Sequence, residues 1–165
     1  MNRAFIGLGS NVGPSEETVR LAMERLRAFA AEPLLESSLW QTTPRDCPPE
    51  SPVFVNAVVG LVPRAGETPE SLLGKLQQIE REFGRQQKKV VNEPRPLDLD
   101  LLIFGAEVRS SRELKLPHSR VHERRFVLQP LAELAPGLVL PGQTKTVSQL
   151  LSELPPDPGM KKLHA

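Results

Sequence analysis

Apolar positions along this chain switch between a period of two and a period near 3.6, and the switches outline its elements. Residues 4–8 form a short apolar run that predicts a strand. It runs into Gly7-Leu8-Gly9-Ser10-Asn11-Val12-Gly13, a β-to-α turn whose backbone can line a ligand. Val19, Ala22, Met23, Leu26 and Phe29 then recur at helical spacing. Pro14 and Ser15 open that helix, Glu16 and Glu17 sit at the positive end of its dipole, and Pro33 ends it. Residues 34–42 and 54–62 predict a second and a third strand. Thr68-Pro69-Glu70 caps a second helix along Leu72, Leu73, Leu76, Ile79 and Phe83, closed by Gly84.

Residues 95–104 alternate charged and apolar side chains and then turn wholly apolar, which predicts a buried strand with acid on one face of its first half. Further on, residues 114–118 read as a short strand ending in His118, and 119–128 as a helical segment with Arg120, Arg124 and Arg125. An apolar run from Phe126 to Leu134 is broken by Pro136, residues 138–140 suggest an edge strand, and 146–154 a last short helix. Pro155-Pro156 leads into a tail, 155–165, expected to be flexible.

Composition narrows the possibilities. A chain of 165 residues suits one domain with a sizeable core. Its 21 basic and 20 acidic residues leave a net charge of +1, so no global nucleic-acid or membrane surface is expected and electrostatic function must be local. The lone Cys47 excludes an intramolecular disulfide and a multi-cysteine zinc site. No segment reads as a signal peptide or a membrane span, which makes a cytoplasmic protein the default expectation.

Candidate chemistry gathers around the acidic strand. Asp98 and Asp100 share a face, with Cα atoms about 6.6 Å apart. Two carboxylates that close require a cation, an arginine partner or a raised pKa. An ion-paired surface face and a metal site are both consistent with the pattern. The basic loop 85–95 delivers Arg85, Lys88, Lys89 and Arg95 to the same strand, and oxygen ligands without a Cys or His cluster favour magnesium over zinc. Arginines grip phosphate oxygens, and phosphoryl transfer rests on positioning and charge neutralisation, yet no Walker P-loop is present. Phe54 and Asn56 share a face beside the long loop 43–52, which holds four prolines. They could read a flat heterocycle by stacking and hydrogen bonding, or serve as core and cap.

These residues resemble the 6-hydroxymethyl-7,8-dihydropterin pyrophosphokinase family. The likeness is carried by Ile6-Gly7-Leu8-Gly9-Ser10-Asn11-Val12-Gly13, Thr42-Thr43-Pro44, Phe54-Val55-Asn56-Ala57, Pro94-Arg95-Pro96-Leu97-Asp98-Leu99-Asp100-Leu101-Leu102, Leu116-Pro117-His118 and Arg124-Arg125-Phe126-Val127-Leu128-Gln129-Pro130-Leu131. It implies an α+β fold, a ferredoxin-like αβα sandwich with a central, mainly antiparallel sheet. It also implies transfer of diphosphate from ATP to 6-hydroxymethyl-7,8-dihydropterin, releasing AMP, in folate biosynthesis, by a monomer. On matching positions, Asp98 and Asp100 would bind two Mg2+ ions, and Arg85 and Arg95 would hold the phosphates during transfer. Gln77, Glu80, Lys88, Leu101, His118 and Arg124 would form the nucleotide site. Phe54 and Phe126 would sandwich the pterin, with Asn56 and Thr43, Pro44 and Arg45 reading its edges. Asn92 stands where the family often has Trp, and Phe54 replaces a common Tyr, keeping the stacking face without the hydroxyl.

Overall fold

The computed structural model describes residues 3–42, 53–84 and 96–164. The first expected strand is β1 (Ala4–Ser10), followed by α1 (Ser15–Leu26). Then come β2 (Leu35–Glu36), β3 (Trp40–Thr42), β4 (Phe54–Leu61), α2 (Pro69–Glu82) and β5 (Asp98–Phe104). A small hairpin of β6 (Arg109–Ser110) and β7 (Lys115–Leu116) precedes α3 (Arg125–Leu134), α4 (Val147–Glu153) and β8 (Lys161–Lys162).

β1 is the centre of the sheet. It pairs antiparallel with β4 on one side and β5 on the other, and the order across the main sheet is β5-β1-β4-β3-β8. Since β1 and β3 both oppose β4, they run the same way, with α1 as their crossover. By the same reasoning β4 and β5 run together, with α2 between them. This is the ferredoxin-like arrangement.

The strand residues alternate between two cores. Ala4, Ile6, Leu8, Val55, Ala57, Val59, Leu99 and Leu101 pack with Val19, Met23 and Leu26 of α1 and Leu72, Leu76 and Ile79 of α2. On the opposite face, Phe5, Val58, Leu102 and Ile103 pack with Val127, Leu128 and Leu131 of α3 and Val147 and Leu150 of α4. The sheet therefore lies between two helical layers. Helix ends are sealed locally: Thr68 Oγ1 accepts from Ser71 N (3.0 Å) while Ser71 Oγ accepts from Thr68 N (2.9 Å), and Thr146 and Gln149 repeat the exchange. Gly84, at φ +88°, turns the chain away after α2 in a conformation that L side chains rarely adopt.

Four expectations change. The strand expected over 34–42 breaks at buried Ser37, whose N donates to Val58 O (3.0 Å) while its Oγ accepts from Val58 N (2.9 Å), so a side chain replaces one ladder partner. The helical segment expected over 119–128 is a 3-10 turn (Val121–Glu123), with left-handed Arg120 before it and extended Arg124 after it; the α-helix begins at Arg125. Residues 138–140 form only a single bridge, Val139 with Thr146. The C-terminal segment, expected as a flexible tail, is docked at residues 161–164: β8 pairs with β3, Leu163 N donates to Leu39 O (2.9 Å), and His164 Nε2 lies 2.8 Å from Glu16 Oε1. That hydrogen bond, together with the charges of His164 and Arg20, holds the Glu16 carboxyl below its ordinary value.

Candidate active site

On the face covered by α3, three strands place a row of polar side chains around a floor of glycine. Gly9 of β1 lies opposite Asp98 of β5 on one side and Asn56 of β4 on the other; two residues back, Gly7 opposes Asp100 and Val58. Directly opposed residues share a sheet face, so Asp98, Asp100 and Asn56 all project to the same side. Asp98 and Asn56 stand two strands apart, about 10 Å, with no side chain between them.

At Gly9 the floor has little room for a side chain. A Cβ on Gly9 would come within 3.0 Å of Asn56 Nδ2, closer than such atoms normally approach. Asn56 cannot easily yield, because its Oδ1 accepts from the hydroxyl of buried Thr42 (2.7 Å), which fixes the amide plane. Gly9→Ala is therefore expected to displace Asn56 and weaken ligand binding on this face by about tenfold, the equivalent of one hydrogen bond. Calorimetric titration of the variant checks this.

Buried polar groups hold the acidic strand in register. Ser10 is fully buried at the end of β1, and its Oγ donates to Pro96 O (2.5 Å), clamping the entry to β5. From α2, the buried Glu80 turns towards the outer edge of β5, where its Oε2 accepts from Leu99 N (2.8 Å), the residue between the two aspartates. Glu80→Ala would strand that buried N–H at a cost of about 2 kcal/mol. A fall of roughly 4–8 °C in melting temperature is the expected result for a domain of this size. Glu80→Gln, which keeps an acceptor, should recover much of it.

A bulge brings in the histidine. Phe5 opposes Ile103 and Ile6 opposes Leu101, so Leu102 is an extra residue in β5. Leu102 and Ile103 both turn into the α3–α4 core, and the Leu102 carbonyl accepts from His118 N (2.8 Å). His118 is thereby set beside the site, its Nε2 3.7 Å from Asp100 Oδ1. Its Nδ1 lies 3.0 Å from Ser119 O, which orients the ring.

The remaining described candidates surround this core. Phe54 is half-buried on the Asn56 face. Phe126 is 38% exposed in the first turn of α3, with the Arg124 guanidinium 5.7 Å from its ring centroid. Gln77 is exposed on α2, one turn before Glu80. Leu101 is buried in the α1–α2 core, which leaves only its backbone to meet a ligand. Thr43, Pro44, Arg45, Arg85, Lys88 and Arg95 lie outside the described residues.

The profile of the 7,8-dihydro-6-hydroxymethylpterin-pyrophosphokinase (HPPK) family matches residues 5–136. The chain belongs to that family. It is a pyrophosphokinase, and further relatives are named for folate or folic acid synthesis. The 2-amino-4-hydroxy-6-hydroxymethyldihydropteridine pyrophosphokinase of Methylorubrum extorquens is 39% identical over 157 residues, covering 94% of this chain and 96% of that one. The Haemophilus influenzae protein of the same name is 36% identical over 154 residues, covering 93% and 91%. Among solved structures, Plasmodium falciparum HPPK-DHPS with pterin and p-hydrobenzoate superimposes with a TM-score of 0.72 at 13% identity. The match covers 92% of this chain and 41% of that longer one, and it shows the shared fold.

Seen as an HPPK site, two supports are contacts whose partners the sequence does not show. Thr42 reaches Asn56 across 14 residues and Ser10 reaches Pro96 across 86. A polar residue at an otherwise apolar, buried strand position is the only sign either one gives.

Proposed function

We propose that this pyrophosphokinase moves the diphosphate of ATP onto the hydroxymethyl group of 6-hydroxymethyl-7,8-dihydropterin, releasing AMP. The observation that carries the reading is the glycine-floored row, with two carboxylates at one end and an oriented amide at the other. One end suits a polyphosphate with its cations; the other suits a flat heterocycle.

Magnesium fits the donor set. Asp98 and Asp100 offer only oxygen, and among the described residues no group of three or more His, Cys, Asp or Glu could form a closed zinc site. Asp98 and Asp100 would hold two magnesium ions, which supply charge neutralisation on the phosphates when bound. Arg85, Arg95 and Lys88, at matching family positions, would contribute fixed positive charge on the transferred group. Gln77, His118, Arg124 and the Leu101 backbone would contact the nucleotide, and Glu80 would position the strand between the aspartates. Asn56 would hydrogen-bond the pterin edge together with Thr43, Pro44 and Arg45, while Phe54 and Phe126 would stack on its faces. A single chain supplies all of these groups, so a monomer suffices.

The test is metal dependence of the complete reaction. Enzyme stripped with EDTA is expected to release no AMP from ATP and 6-hydroxymethyl-7,8-dihydropterin, and added Mg2+ should restore release. AMP formation in EDTA equal to that in Mg2+ would contradict the assignment of Asp98 and Asp100.

A further inference from the structure

Glu133 of α3 gathers several polar partners on the α3 side of the sheet. Its Oε1 accepts from Trp40 Nε1 (2.9 Å) and Ser38 N (3.2 Å), its Oε2 accepts from Ser38 Oγ (2.7 Å), and Lys162 Nζ lies 3.8 Å away. Lys162 also sits 5.8 Å from the Trp40 ring, closing the cluster from β8. The Lys162 pair is partly exposed and contributes little by itself; the three hydrogen bonds to one charged acceptor carry the join.

The elements joined here bear the two walls of the heterocycle end of the site. Trp40 lies directly opposite Asn56 and, two residues on, Thr42 donates to the Asn56 carboxamide. Glu133 is seven residues beyond Phe126 on α3, two turns along one face of that helix. Moving α3 relative to β3 would therefore move Phe126 relative to Asn56. Apolar packing also joins α3 to the sheet, through Val127, Leu128 and Leu131, but such contacts tolerate small slides. Directional hydrogen bonds to a carboxylate do not.

We infer that Glu133 is a positioning residue for the pterin: it locks α3 to β3 and so sets the spacing between Phe126 and the Asn56 edge. This rests on the reading of Phe54, Asn56 and Phe126 as the pterin pocket. The Asp98–Asp100 end is held by other groups, Ser10 and Glu80, so the effect should be confined to one substrate.

Steady-state kinetics on Glu133→Ala, Glu133→Gln and Trp40→Phe separate this role from general stability. Glu133→Ala is expected to raise KM for 6-hydroxymethyl-7,8-dihydropterin about tenfold, with KM for Mg-ATP and kcat within about twofold. Glu133→Gln keeps an oxygen facing Trp40 Nε1 and Ser38 N and should restore most of the pterin affinity. Trp40→Phe removes one donor and should fall between them. Should Glu133→Ala fail to fold, the Trp40→Phe and Glu133→Gln pair decides the matter. Equal loss of affinity for both substrates, or an unchanged pterin KM, would overturn the inference. A parent protein that binds no pterin would instead overturn the proposed function on which it rests.

Discussion

Replacing either Asp98 or Asp100 with alanine will suppress AMP release by about 10²–10³-fold or more, the scale seen when a group that stabilises transition-state charge is removed. The fold should survive. Both side chains are only partly buried, and both project onto the face above Gly7 and Gly9 rather than into the α1–α2 core, where Leu99 and Leu101 hold the strand. Alanine at either position keeps the strand backbone, the Ser10 clamp on Pro96 and the Glu80 bond to Leu99 N. Melting temperatures within a few degrees of the parent, alongside the collapse in kcat, are the paired result to look for. The double variant should be scarcely worse than either single one, because the two carboxylates act on the same bound group. Near-parent turnover in both single variants would remove the metal assignment.

Phe126→Ala should weaken pterin binding by about 2 kcal/mol, roughly 30-fold, while changing Mg-ATP affinity by less than about twofold. The ring is 38% exposed at the start of α3, so its loss leaves no large cavity in the core; what disappears is a stacking surface. Arg124, 5.7 Å from that ring, remains available to the nucleotide. Parallel titrations with pterin and with a non-hydrolysable ATP analogue check the split. Equal weakening of both would place Phe126 in a general structural role and dismiss the sandwich.

Much of this architecture was legible because burial imposes period. The two-residue alternation of β1, β4 and β5 and the 3.6-residue stripes of α1 and α2 follow from which side chains meet a core; the ferredoxin-like order was expected from the family resemblance, and the sheet has it. The elements that differ are those whose register is set by polar groups. Ser37 breaks one strand into two by offering a side-chain oxygen to Val58 N. The Leu102 bulge is invisible within a continuous apolar run, because an extra leucine looks like any other. β8 carries two lysines and no apolar alternation, and it is held by pairing with β3.

The site divides in the same way. Asp98 and Asp100 show in the sequence because residues two apart on one strand share a face, whereas the 3.7 Å approach of His118 Nε2 to Asp100 has no local spacing behind it. The supports come from afar: Thr42 on Asn56, Glu80 on Leu99 and Glu133 on Trp40 span 14, 19 and 93 residues, and no local spacing rule predicts a contact across such separations. Leu101 illustrates the converse: it sits on the acidic strand, yet its side chain belongs to the core.

The proposed transfer moves both terminal phosphates of ATP as one unit, and the fate of a label shows whether it does. ATP carrying a radiolabel in its γ-phosphate would be incubated with Mg2+, 6-hydroxymethyl-7,8-dihydropterin and the enzyme, and the products separated. Attack at the β-phosphorus predicts the label in a pterin diphosphate, with unlabelled AMP formed in equal amount. Unlabelled ADP alongside a labelled pterin monophosphate, or label released as free pyrophosphate, would rule out diphosphate transfer.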